Sequence, residues 1–152
     1  MNGGLEIDAA QGEVLLAEIE GLLATVREPG ARASWQELAG AVAGGAVEES
    51  LLGPLQSLVE MSLQTGRARK LHGPESEQAL LRLFHRTPRG SAARRATESV
   101  NEALRTLSGQ TLQDMLFTVQ APGVFRLGLR TDRVRLALEI DGRGVSVESL
   151  EV

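Results

Sequence analysis

The chain contains no cysteine, which removes disulfides, thiolate zinc sites and thiol nucleophiles together. It has no tyrosine, one tryptophan and three phenylalanines. So few aromatic rings argue against binding modes in which unpaired bases stack on side chains. Histidine occurs only at positions 72 and 85, which leaves a Ser-His-acid triad little to work with. No serine sits in a G-x-S-x-G elbow. The glycine-rich stretch from Gly40 to Gly45 lacks both a Walker lysine and dinucleotide spacing, and reads as a helix-breaking turn. No apolar run approaches the roughly 20 residues that span a bilayer. Acids at Glu6, Asp8, Glu13, Glu18, Glu20 and Glu28 speak against a signal peptide. Lysine is nearly absent, with Lys70 alone against 15 arginines, a bias that suits a GC-rich bacterial genome. These absences lead to the expectation of a bacterial cytoplasmic protein that is not an enzyme and needs no cofactor or metal.

What is present is an ordinary apolar fraction of 42% on 152 residues, enough for a core without staples. The net charge of −4 is unevenly spread. Residues 1–66 carry ten acids and two bases, residues 67–95 eight bases and two acids, and residues 96–152 eight acids and six bases. An acidic front is thus joined to a basic middle, and the basic middle is a candidate contact for an anionic partner. Arg67, Arg69, Lys70, Arg89, Arg94 and Arg95 are its candidate residues. Other polar groupings read as structural. His72 and His85 lack the i, i+4 spacing of a helical metal pair, so His72 is expected in solvent and His85 at a helix C-terminus. Asp114, Glu139 and Asp141 read as solvated sheet residues.

The period of the apolar residues divides the chain. Up to about residue 107 it is helical, and beyond that it alternates. Asp8 with Gln11 forms a capping box ahead of Leu15, Ile19, Leu22 and Val26, and Pro29-Gly30 ends that helix. Ser34 with Glu37 reads as a second capping box, starting a short helix that Gly44-Gly45 breaks. A third helix is expected from about Val47 to Leu63, with Pro54 kinking it or marking a restart. Arg67 to His72 reads as a short extended piece. Pro74 and Pro88 suit the first positions of a fourth and a fifth helix, the latter burying Ala93, Ala96, Val100, Leu104 and Leu107. Four strands follow at about 111–120, 124–130, 133–141 and 144–151. Their turns imply cross-strand rows, one of Val119, Phe125, Leu138 and Val147 and one of Phe117, Leu127 and Leu136, all on a covered face. Thr131-Asp132 suits a two-residue turn poorly, and a longer loop is the alternative. The expected fold class is α+β: about five helices, then a four-stranded antiparallel β-meander covered by a helix. The expected division is a helical module at 1–86 and a helix plus meander at 87–152.

Residues of about 12–73 resemble the winged helix-turn-helix superfamily. Ser34-Trp35-Gln36-Glu37-Leu38-Ala39 looks like the first helix of the motif, Gly44-Gly45 like its tight turn, and Leu55, Leu58, Val59 and Leu63 like the buried side of its recognition helix. Arg67 to His72 would begin a wing. The resemblance implies that Glu48, Glu49, Gln56 and Glu60 occupy the exposed face, which enters the major groove in DNA-binding members. Those residues are acidic or neutral, whereas phosphate neutralisation supplies most of the affinity of a DNA reader. The same face therefore suits protein docking. The leading expectation is an interaction or assembly module with a protein partner or itself, as a homodimer. The strand at 144–151 has no proline or lysine to blunt its edge. The alternatives are a DNA-associated regulator using the basic segment 67–95, with weak nucleic-acid binding, and a small-ligand sensor. No membrane association is expected.

Overall fold

A computed structural model describes residues 3–152. The helical part begins with β1 (Leu5–Glu6), α1 (Ala9–Thr25), α2 (Pro29–Ala43) and β2 (Ala46–Val47). It continues through α3 (Leu52–Gln64), α4 (Pro74–Phe84) and α5 (Pro88–Arg105). The meander follows as β3 (Leu112–Ala121), β4 (Val124–Thr131), β5 (Arg135–Asp141) and β6 (Gly144–Glu151), in the order β3-β4-β5-β6. The α+β class with helices ahead of an antiparallel sheet is as the periodicity indicates. The chain divides into two compact units, one ending at Gly90 and the other spanning Ser91–Val152, so the division falls inside α5. Among the described residues no helix is long and apolar enough to cross a membrane.

The Asp8 capping box is formed: Gln11 N donates to the Asp8 carboxylate at 2.8 Å, and Asp8 N to Gln11 Oε1 at 3.1 Å. The start of α2 differs from the expected Ser34. Glu28 caps it through the amides of Gly30 and Ala31, and Pro29 takes the first helical position. Proline with fixed φ beneath an acidic cap nucleates a helix outright. Ser34 is left in mid-helix, its hydroxyl donating to Gly30 O at 3.1 Å. Gly45, at φ +82, turns the chain into β2, which pairs antiparallel with β1 through Leu5↔Val47. A single 3₁₀ turn at Glu49–Leu51 leads into α3, so Pro54 lies in a first helical turn, where no partner for its missing N–H is required. Arg67 to His72 is not extended. Residues Ala68–His72 form a short helical turn that Gly73 ends at φ +95. Ala68 is fully buried, and its place beneath the turn explains why helix wins there. The core of this unit is built from Leu15 and Ile19 on α1, Leu38 on α2, Leu55 and Leu58 on α3, and Leu80 and Leu83 on α4.

In the second unit Val100 and Ala103 of α5 pack on Leu136 and Leu138, with Leu127, Leu129 and Val147 at the margins. Ala103 takes the inward place expected of Leu104, which is exposed. The first hairpin has the expected register, Val119↔Phe125 and Phe117↔Leu127, and Gly123 turns at φ +75. The second is shifted by two residues: Leu127 faces Leu138 and Phe125 faces Ile140. The cause is the longer loop. Thr131 Oγ1 accepts Val134 N at 2.9 Å, and Thr131 N donates to Val134 O at 2.9 Å, so β5 starts at Arg135. A shift of two preserves the faces.

The expectation that Phe117 is covered is not met. Phe117 is 57% exposed, whereas Leu136 is 2% exposed. Leu136→Ala is therefore expected to cost about 2–5 kcal/mol in chemical denaturation. Phe117→Ala should cost under about 1 kcal/mol, because most of its ring is already in water. Equal losses for the two variants would contradict this placement of α5.

Candidate interaction surfaces

Three surfaces follow from the sequence: the basic segment, the exposed side of α3 and the sheet. In the basic segment, charge is largely answered from within the chain. Arg67 Nε lies 3.1 Å and His72 Nε2 2.9 Å from the Glu18 carboxylate. Arg69 lies 3.9 Å from Glu77, Arg89 2.9 Å from Glu60, and Arg94 3.6 Å from Glu98. Lys70 and Arg95 make no ion pair among the described residues. Four of the six candidates are therefore paired with carboxylates of the same chain. His72, expected in solvent, is instead tied to α1.

Glu18 is the functional-looking residue that sequence reasoning passed over. It is buried, with its side chain 3% exposed. Burial pushes its carboxyl up, but hydrogen bonds and charges from Arg67 and His72 outweigh burial and hold the group below its ordinary value. The readable signal was its position: Glu18 falls four residues after Val14 and three after Leu15, inside the apolar stripe of α1. Gln11 is a second satisfied polar residue in this unit. Beyond its part in the capping box, it donates from Nε2 to Ala79 O at 3.2 Å and accepts from Arg86 at 3.1 Å.

The four residues expected on one exposed face separate. Glu48 and Glu49 are exposed, on the turn preceding α3. Gln56 is buried, its Oε1 accepting Arg89 N at 3.0 Å. Glu60 is paired with Arg89. The chain's own first turn of α5 thus occupies the middle of the face that a groove or a partner would need. Local signals explain that turn: Thr87 caps α5 by accepting Gly90 N at 3.2 Å, and Pro88 fills the first position.

The sheet has two unlike faces. One carries Arg126, Arg130, Arg135 and Glu139, with Arg126 lying 2.8 Å from the Glu148 carboxylate. A shallow groove of about 310 Å³ runs over Gly128 and Ala137 on this face, between Arg126 and the directly paired Arg130 and Arg135. Asp114 and Glu151 flank that arginine pair on the outer strands, which leaves the groove no strong charge of one sign. The other face is apolar and only partly covered. Since α5 packs toward β5, outer strand β3 stays open. Met115 is 62%, Phe117 57% and Val119 68% exposed, and the Phe117 ring stacks on Phe125 at 5.5 Å. On the opposite face of the same strand Leu116 is 60% exposed.

No protein family, curated protein or solved structure matches the chain.

Proposed function

We propose that this protein is a non-enzymatic protein-interaction module whose docking surface is the open β3 side of its meander. The observation that carries the reading is the exposure of Met115, Leu116, Phe117 and Val119 in one run of an outer strand. Exposed apolar surface concentrated on one strand in this way is a mark of interaction sites. An outer strand adds unpaired backbone N–H and C=O groups, which a further strand can satisfy. Natural edges are protected by lysine, proline or inward charges, and β3 has one charge, Asp114, and no proline. The alternative of DNA association is weakened by the pairing of Arg67, Arg69, Arg89 and Arg94 with carboxylates, which phosphate would have to displace.

The test is photo-crosslinking in the source cells. A photoreactive residue at position 115 should give discrete crosslinked species, and the same residue at the exposed turn position 143 should give none. Absence of any discrete species at 115 would refute the docking surface.

A further inference from the structure

We infer that the occupant of the β3 edge is β3 of a second copy of this chain, paired antiparallel across a two-fold axis at Phe117. The inference rests on the docking reading above and names its partner. Its first support is that β3 is apolar on both faces, with Met115, Phe117 and Val119 on one and Leu116 on the other. A helix or sheet laid on the meander would cover one face only. A neighbouring strand flanks side chains on both, so edge pairing answers the whole pattern.

The second support is self-complementarity. A two-fold axis normal to the sheet keeps the α5-bearing faces on the same side and pairs residues whose numbers are symmetric about the axis. Centred on Phe117, it sets the two Phe117 rings side by side and Met115 against Val119 of the second copy. It sets Leu116 against Thr118, and the lone charge Asp114 toward Gln120, so no like charges meet. The paired stretch from Met115 to Val119 lies within the unbroken register of β3 on β4, between the two irregularities at Leu112/Asp114 and Val119/Ala121. The other outer strand, β6, is the poorer seam: it carries Glu148 and Glu151 together with Ser146 and Ser149.

The area sets the expected strength. The four exposed apolar side chains between Met115 and Val119 make a small seam, below the roughly 800 Å² per partner of standard interfaces. A reversible dimer with a micromolar dissociation constant follows.

Sedimentation equilibrium of the full chain from 1 to several hundred micromolar (concentrations chosen as roughly spanning such a constant) tests this. The wild type should shift from monomer to dimer. Phe117→Glu, which sets two carboxylates together at the axis, should weaken association at least tenfold, with unchanged far-UV circular dichroism. Phe117→Cys should form a disulfide-linked dimer under oxidising conditions, because residues facing each other across an antiparallel pair fall within disulfide reach. Ser146→Cys on β6 should not. A wild type that stays monomeric throughout overturns the self-pairing; if position 115 still crosslinks to a different protein, the docking reading survives without it. A dimer that Phe117→Glu leaves intact and that Phe117→Cys fails to lock also overturns it, placing the seam elsewhere.

Discussion

Replacing Gly90 with alanine is expected to destabilise the protein by about 3–5 kcal/mol, adding an overpacking cost to that of a buried polar group left unmatched. A Cβ at this position would fall 1.8 Å from Phe84 O, 2.5 Å from Phe84 C and 3.1 Å from His85 Cα. All three are backbone atoms, so no rotamer change makes room. Phe84 O is also committed, accepting Thr87 N at 2.9 Å and Thr87 Oγ1 at 2.7 Å. The first turn of α5 must therefore lift, and two further contacts go with it. Arg89 N leaves Gln56 Oε1, which is buried, and the Arg89 side chain leaves Glu60. At roughly 2–4 °C per kcal/mol for a chain of this size, the midpoint of thermal unfolding should fall by about 10 °C. Gly53→Ala is the control, because nothing lies within 4 Å of a Cβ there and the residue is helical. Alanine at 53 should be neutral or stabilising by up to about 1 kcal/mol. Equal melting points for the two variants would show that the backbone at residue 90 does not approach Phe84 O this closely.

Gly90 also shows where sequence reading stops. Its residue type is visible, but the need for it comes from how tightly the backbone folds back on Phe84 and His85, a geometry that residue type does not encode. Elements fixed by neighbours in sequence were legible. The Asp8 capping box and the Pro74 and Pro88 helix starts rest on contacts within a few residues, and the four strands join neighbours in sequence through short turns. Competing local signals were harder to rank. Pro29 reads in sequence as the stop of α1, yet it is the first residue of α2 beneath the Glu28 cap, and Ser34 falls in mid-helix. Arg67–His72 has no strong apolar period, and its helical turn depends on burying Ala68 and on tying Arg67 and His72 to a carboxylate 49 and 54 residues away. The surfaces depended most on tertiary structure. A run of arginines reads as a patch only until the acids that answer it, Glu18, Glu60 and Glu77, are placed beside it. The apolar side chains of β3 read as core, because alternation tells which face a residue takes but not how far a covering helix extends.

The Glu18 cluster should make stability depend on acid. Because its carboxyl is held below the ordinary 4.5, the group contributes stability that is fully present above about that pH. That contribution is lost as pH falls through the folded-state value, where the proton breaks the contacts with Arg67 and His72. Nearly half of the Arg67 side chain is in water, so its share is screened, whereas Glu18 itself is almost wholly buried. Glu18→Gln keeps the shape and one acceptor and should cost about 1–3 kcal/mol at neutral pH, with a flatter acid limb. The informative variant is Arg67→Ala with His72→Ala. It leaves a buried carboxylate without partners, so burial alone acts on the group and raises its folded-state pKa above the unfolded one. Breaking a buried pair from this side costs about 3–5 kcal/mol. The sign of the pH dependence should then reverse: the double variant should gain stability as pH falls from 7 toward about 5, while the wild type holds steady. Urea denaturation at a series of pH values reads both slopes. A double variant whose stability falls with acid in parallel with the wild type would mean that Glu18 is hydrated in the folded protein, and that the cluster is not what holds the 67–72 turn to α1.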